Sequence, residues 1–405
     1  MDMPFETHNL RPKRIALFSG NYNYVMDGPV RALNHLVGFL EKLGIEVLVF
    51  APTAKEAAFR HNGTLVSVPS VALPGSRSEY RLGLRLPRRI KRQLEAFEPD
   101  LVHLAAPDII GWRALNWAKA HKVPAVASFH TRFDTYPRYY HMAWLEKYVT
   151  AIMRRFYHRC EQVYVPSDCM KTILADQDMA KDLRIWSRGI DTAQFNPERR
   201  DMAWRRSLGI ANDEIVIAFV GRLVLEKGLG VFADTLDELK RRGVPYKALI
   251  VGDGPERDSF TERLPSAVFT GYLQGDELAR AYASSDIFFN ASITETFGNV
   301  TLEAMASAVP AVCADATGSR SLVTSGETGF LVEPGNINAF ADKLALLITD
   351  TQLREGLAKA SYAAGRDRTW NAVLSRLLNN YTEAIAQYPE RNWRRDGRRD
   401  LSAAE

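Results

Sequence analysis

The chain is 405 residues long, more than one domain of typical size holds, so two domains are expected. With 46% hydrophobic and 25% charged residues it is neither disordered nor fibrous. Its net charge of +4 is too small to imply a nucleic-acid partner, and it lacks the run of about 18 apolar residues that a membrane-spanning helix needs.

In chain order, Arg14–Ser19 reads as a strand. Pro29–Leu43 reads as a helix, with Val30, Leu33, Val37 and Leu40 on one stripe and Gly44 as its stop. Strands are predicted again at Glu46–Phe50, Leu101–Leu104, Ala125–Phe129, Gln162–Val165 and Leu183–Trp186. The pattern then restarts, with strands at Ile215–Val220, Leu249–Val251, Val268–Thr270, Ile287–Asn290 and Ala311–Cys313. Strand and helix alternate, which implies βαβ units and parallel sheets buried on both faces. Two such series give an α/β chain with two Rossmann-like domains. The first is expected over residues 1–188 and the second over 189–369, with the joint in the turn-rich stretch Gly189–Pro197. A last helix over 370–387 is expected to cross back and join the first domain, leaving a charged tail at 388–405.

Cys160, Cys169 and Cys313 form no CxxC pair and leave one odd, which speaks against a disulfide framework or a structural zinc site and fits a reducing cytoplasm. Met1–Arg14 has no apolar run, so no secretory signal is expected.

Gly221-Arg222-Leu223-Val224-Leu225-Glu226-Lys227-Gly228 follows an apolar strand. Its glycines permit close backbone approach, Arg222 can grip two phosphate oxygens and Lys227 adds a point charge. Taken alone, the segment also fits a solvated turn. Ser292 to Ala306 is the sharper signal. It joins a strand to a helix starting near Val300, so Phe297, Gly298 and Asn299 stand at a helix N-terminus, where free amides favour phosphate. Glu295 precedes that helix and Glu303 lies about two turns along it. Two carboxylates beside a phosphate site can hold hydroxyls of two sugar rings, although a capping acid and an exposed helix acid would look the same.

Glu295 and Glu303 form Glu-x7-Glu with Phe297-Gly298 inside. Together with Gly221-Arg222-Leu223…Glu226-Lys227-Gly228 and Val251-Gly252-Asp253-Gly254-Pro255-Glu256, this resembles a family-four retaining glycosyltransferase of the GT-B fold, two Rossmann-like domains facing across a cleft. The resemblance implies that Arg222 and Lys227 bind the donor diphosphate and that Glu295 contacts the donor sugar. It implies that Glu303 holds the ribose, that the amides of Phe297, Gly298, Asn299 and Val300 hold phosphate or sugar, and that Gly252 and Gly254 line the nucleobase pocket beside Gly221. One departure concerns the loop before Gly329. Relatives often carry paired glycines there, and Asp315-Ala316-Thr317-Gly318-Ser319 has one.

In the first domain, His130 follows the strand Ala125–Phe129, at the sheet edge where open α/β folds bind ligands. A lone His there is more often structural, but the resemblance implies a donor-sugar contact. Arg132 stands where many relatives have an acid. It fits an anionic sugar or an acceptor phosphate if it faces the cleft, and a surface charge if it does not. Gly28 matches the loop that approaches the diphosphate in relatives and, with Pro29 after it, equally fits a helix start. Arg188 matches the interdomain turn, where it fits an acceptor or sugar contact if it faces the cleft and a structural pairing if it does not. Phe133, Tyr136, Tyr139, Tyr140, Trp144 and Tyr148 crowd the segment after His130 and read mainly as packing, with a minority available to line an apolar acceptor channel.

Between Arg77 and Arg92, seven positive residues face one acid, a local charge of +6 that leaves the rest of the chain at −2. Arg81, Arg85, Arg88, Arg89, Lys91 and Arg92 are interleaved with Leu and Ile, a mixture that suits an anionic membrane surface, with the apolar residues entering the headgroup region. A solvated basic helix face is the alternative. A nucleic-acid patch lacks aromatic stacking platforms.

The combined expectation is a cytoplasmic, peripherally membrane-bound, monomeric hexosyltransferase that needs no metal and no cofactor. The run from His130 to Tyr140 resembles the subgroup that makes glycolipids, including sulfoquinovosyl- and mannosyl-lipid transferases. A nucleotide-sugar donor is therefore expected, UDP-sugar favoured and GDP-mannose second, with a lipid acceptor. A soluble or polysaccharide acceptor, a sugar-nucleotide epimerase of the same architecture, and a non-catalytic nucleotide-sugar-binding module are the alternatives. An NAD-dependent oxidoreductase would need Gly-x-Gly-x-x-Gly after the first strand, which Gly20-Asn21-Tyr22-Asn23-Tyr24 breaks. Asp176-Gln177-Asp178 follows a helix instead of a strand and reads as solvent-facing, and no His/Cys spacing suits a metal.

Overall fold

The computed structural model describes residues 11–25, 28–72, 80–130 and 143–388. The chain divides into two compact units, at Ser187/Arg188 and again at Trp370/Asn371. The first unit opens with β1 (Arg14–Phe18), α1 (Gly28–Lys42) and β2 (Glu46–Ala51). A short β3 (Thr64–Ser67) and an antiparallel hairpin of β4 (Ser70–Ala72) and β5 (Arg81–Gly83) follow. The apolar pattern marks none of these three, because β3 is an edge strand and the hairpin lies outside the main sheet. Then come α2 (Arg88–Phe97), β6 (Leu101–Leu104), α3 (Ile109–Ala120), β7 (Ala125–Ser128), α4 (Glu146–Tyr157), β8 (Val163–Val165), α5 (Asp168–Asp176) and β9 (Leu183–Ile185).

The main sheet is parallel, ordered β3-β2-β1-β6-β7-β8-β9 among the described residues. Its central strands are buried on both faces, which is why they read as unbroken apolar runs. One face is covered jointly by α2, α3 and α4, whose Leu94, Leu115 and Phe156 share a core with Phe18 and Phe50. Right-handed crossovers put successive connecting helices on that one side.

The second unit contains α6 (Met202–Ser207), β10 (Val216–Val220), α7 (Leu229–Arg241), β11 (Lys247–Val251), α8 (Arg257–Arg263), β12 (Val268–Gly271) and α9 (Gly275–Ala283). It continues with β13 (Ile287–Asn290), α10 (Asn299–Ala306), β14 (Ala311–Ala314), α11 (Thr317–Arg320), β15 (Gly329–Val332), α12 (Ile337–Thr349) and α13 (Thr351–Arg366). Its parallel sheet is ordered β12-β11-β10-β13-β14-β15. Arg205 on α6 is fully buried and pairs with Asp286 at 3.0 Å, and the same carboxylate oxygen accepts from the Val216 amide. That ion pair fixes the entry to β10.

The last helix, α14 (Trp370–Ala386), belongs to the first unit from Asn371 onward. Tyr381 on it is buried, and its hydroxyl is hydrogen-bonded to His103 Nδ1 in the middle of β6. His103 Nε2 meets Ser128 Oγ. Burial pushes the His103 pKa down to about 3, so the ring is neutral at physiological pH. Arg184 on β9 anchors the same helix through Asn380 and Glu383.

Strand order reverses between β1 and β6 in one sheet and between β10 and β13 in the other. In open α/β sheets these switch points leave a crevice at the carboxyl ends of the strands, where ligands bind.

Candidate active site

The loops leaving β10 and β13 flank the switch point of the second unit. They are joined to each other. Ser292 Oγ and Thr294 Oγ1 donate to the Glu226 carbonyl at 3.4 and 3.3 Å. Lys227 Nζ pairs with Glu295 Oε1 at 2.5 Å, both side chains less than one-third exposed. Arg222 is exposed, and its guanidinium has no ion-pair partner among the described residues. The loop after β10 thus carries an exposed cation and a paired cation, and the loop after β13 carries the carboxylate of the pair.

The glycines of the third loop have a steric reason. A Cβ on Gly252, whose φ is +143°, would sit 1.9 Å from the Gly221 carbonyl oxygen. One on Gly254 would sit 2.3 Å from that of Leu223. The loops after β10 and β11 therefore pack backbone to backbone, which leaves main-chain groups at the strand ends.

Gly298 precedes α10 in a left-handed conformation, and no side chain caps this helix. The first-turn amides of Asn299 and Val300 have no intrahelical acceptor by geometry. The Phe297 ring is buried in the core, so that residue offers only its main chain to the site. Glu303 faces inward and is 6% exposed, with Oε2 accepting from the Tyr282 hydroxyl at 3.0 Å. Sequence reading did not single out Tyr282.

The single-glycine loop before β15 closes directly on Glu295. Thr317 Oγ1 donates to the Glu295 carbonyl at 2.8 Å, and a Cβ on Gly318 would stand 2.7 Å from Glu295 Cβ. Gly318 is thus the glycine whose absent side chain admits the Glu295 loop. Arg320 grips Asp315 and holds its carboxyl below the usual carboxylate range.

In the first unit, His130 directly follows β7, is 8% exposed and meets Trp186 edge-on at 5.1 Å. Trp186 also packs edge-on to His103, a relationship no local motif announces. At this unit's switch point Asp108 caps α3, accepting from the Gly111 amide at 2.7 Å, and a Cβ on Gly20 would lie 2.8 Å from its other oxygen. Burial pushes the Asp108 carboxyl up to about 6. Gly28 is the first residue of α1. Arg188 is buried, which pushes its pKa down to about 10 and leaves it protonated at neutral pH. The adjoining turn is clamped by the Ile190 amide donating to the Arg368 carbonyl at 2.8 Å. Arg132, Phe133, Tyr136, Tyr139 and Tyr140 lie outside the described residues.

Asp176 and Asp178 are exposed at the end of α5, as the sequence suggests. Among the described residues no group of three or more His, Cys, Asp or Glu side chains is arranged to hold a metal ion. No helix among them is long and apolar enough to cross a membrane.

The basic segment requires a correction. Leu86, Ile90 and Leu94 are buried beneath α2, because the sheet needs that apolar stripe as cover, so they do not reach a headgroup region. Arg81 is consumed by the hairpin, donating to Ser70 Oγ and the Ser70 carbonyl at 3.0 and 3.3 Å. Arg85, Arg88, Arg89, Lys91 and Arg92 remain exposed. Arg88 and Arg89 occupy the first turn of α2, where no acid offsets them and the helix dipole disfavours cations.

A model of group 1 glycosyl transferases matches residues 201–364, and one of glycosyltransferase family 4 matches residues 26–194. The chain is 34% identical to the sulfoquinovosyl transferase SQD2 of Arabidopsis thaliana, over 93% of this chain and 74% of that one. It is 32% identical to a GDP-mannose-dependent alpha-mannosyltransferase of Corynebacterium glutamicum, over 93% and 90% respectively. It is 27% identical to the alpha-monoglucosyldiacylglycerol synthase of Streptococcus pneumoniae, over 92% and 88%. Among solved structures, the sucrose-phosphate synthase of Thermosynechococcus elongatus superposes with a TM-score of 0.76 at 18% identity, over 92% of this chain and 99% of that one. With two parallel-sheet halves, one family model on each and relatives above 30% identity over more than nine-tenths of the chain, the chain belongs to glycosyltransferase family 4 and has the GT-B fold.

Proposed function

We propose that this glycosyltransferase moves a hexosyl group from a nucleoside diphosphate sugar to a lipid acceptor, with retention of anomeric configuration and without a metal or cofactor. The observation that carries the reading is the Lys227–Glu295 pair joining the two loops that flank the switch point, with Arg222 exposed on the loop that carries Lys227 and the uncapped start of α10 on the other. Arg222 and Lys227 stabilise charge that develops on the leaving diphosphate. That diphosphate takes the acceptor proton on the face it departs from, which accounts for retention without a protein nucleophile. Glu295 orients the donor sugar, Glu303 the ribose, and His130 is the candidate sugar contact in the first unit.

A UDP-sugar is the favoured donor and GDP-mannose the second. The Arabidopsis and pneumococcal relatives, named for sulfoquinovosyl transfer and for a glucosylated diacylglycerol, support a lipid acceptor. The GDP-mannose-dependent relative keeps the second donor in play. The exposed cations of α2 support peripheral attachment at the cytoplasmic membrane face.

The test supplies diacylglycerol-containing vesicles with UDP-glucose or GDP-mannose, in the presence of a chelator. The expected products are free nucleoside diphosphate and an α-linked glycolipid, identified by NMR. Nucleotide release without sugar on lipid would remove the lipid acceptor. Loss of all turnover with chelator would remove the metal-free mechanism. Calorimetry favouring GDP over UDP would reverse the donor choice.

A further inference from the structure

Helix α4 buries one apolar stripe and exposes another. Val149, Met153, Phe156 and Tyr157 pack into the core shared with α2 and α3. On the opposite side Trp144, just before the helix, and Tyr148 and Ile152 within it follow one another at i, i+4 spacing, 67%, 53% and 56% exposed. An amphipathic helix needs only its inner stripe for folding. Among the described residues nothing accounts for three large apolar side chains in a row facing water, two of them aromatic rings at 6.5 Å from each other.

The surroundings indicate what covers them. Lys147 lies over the Tyr148 ring at 5.1 Å, and Arg155 projects from the same side. Neither has a carboxylate partner among the described residues. Leu84 and Ile109, also exposed, lie near the starts of α2 and α3 on this same helical layer, and Arg113 of α3 donates to the Leu84 carbonyl at 3.2 Å. In βαβ units connecting helices begin at the carboxyl edge of the sheet, so Trp144 and the Arg85–Arg89 cations share that edge. Trp and Tyr flanked by unpaired cations match the boundary of an anionic bilayer, where amphipathic rings settle at headgroup depth and basic residues meet lipid phosphate.

We propose that Trp144, Tyr148 and Ile152 insert into the headgroup region of an anionic bilayer. α4 then provides an apolar attachment, resistant to salt, beside the electrostatic attachment of α2. The proposal depends on the lipid-acceptor reading only in its choice of occupant, and its test uses no catalytic readout.

Co-sedimentation with vesicles of phosphatidylcholine and phosphatidylglycerol in equal parts separates the two attachments. Salt screens exposed charges over about 3 Å at molar ionic strength, so α2 should contribute little there. The wild type should keep measurable binding in high salt. Trp144→Ser/Tyr148→Ser/Ile152→Ser should lose it, with partitioning falling at least about tenfold, since each buried apolar side chain accounts for roughly that factor. Trp144→Ser alone gives a partial loss without threatening the fold. Far-UV circular dichroism and the melting temperature, unchanged in both variants, show that they are folded. The proposal is overturned if the variants bind like the wild type in high salt, or if the wild type does not bind these vesicles in low salt. It is equally overturned if the stripe mediates self-association in place of vesicle binding.

Discussion

Lys227 and Glu295 form an ion pair between two loops 68 residues apart in sequence, each leaving a strand beside the point where the sheet order reverses. Each side chain holds the other in place across the two loops, and under the proposed function both face the donor. Glu295→Gln should therefore weaken both the sugar contact and the positioning of Lys227. Arg222→Ala removes the exposed cation without disturbing any internal pair. Either change should lower kcat by about 10²–10³, the usual cost of losing one contact to developing charge. Steady-state kinetics check this, and near-wild-type turnover in both variants would sink the assignment.

Gly252→Ala tests the packing beneath the site. The added methyl would overlap the Gly221 carbonyl, and it would do so at a backbone conformation that costs an L-residue about 1–3 kcal/mol by itself. The variant should melt at a lower temperature and bind nucleotide poorly. Gly230→Ala, at a position with open space around it, is the control and should be neutral or slightly stabilising.

Stability should depend on pH through His103. Its folded pKa of about 3 is below the ordinary 6.5, so the unfolded chain takes up the proton first. The stabilisation is present above pH 6.5 and is lost as pH falls toward 3, by up to about 1.4 kcal/mol per pH unit. Asp108 acts in the opposite sense. Raised to about 6 from 3.8, it favours folding at the acid end of that interval and loses that contribution as pH rises through 6. Denaturant titrations should then show a shallower acid slope for His103→Gln than for the wild type, and a steeper one for Asp108→Asn, which keeps the helix cap. Identical slopes in all three proteins would contradict the burial of these groups.

Tyr381→Phe removes the hydroxyl that meets His103 and leaves a buried ring nitrogen without that partner. A loss of about 1–3 kcal/mol in unfolding free energy is expected. Tyr148→Phe, at an exposed ring, should cost less than about 0.5 kcal/mol. Equal effects would mean that α14 is not fastened through this contact.

The strands legible in the sequence are the buried parallel ones, because burial on both faces writes an unbroken apolar run. β3 and the β4–β5 hairpin were not legible, since half-exposed edge residues carry no such run. The Gly221–Gly228 loop and Glu-x7-Glu were legible because their spacing is local. Their glycines mark backbone approaches between loops, and the amides of α10 follow from where the strand ends. Local pattern does not reveal which residues meet across the fold. Tyr282 beneath Glu303, Thr317 against Glu295, and the His103–Tyr381 contact join segments far apart in the chain. Leu86, Ile90 and Leu94, the apolar stripe at α2, show the same limit. Sequence gave their helical spacing and the cations between them, but either face of an amphipathic helix can be the buried one until neighbours are known. The tertiary structure turned that apolar stripe inward over the sheet and left the outward-facing apolar stripe to α4, because the core had room for only one side of each helix.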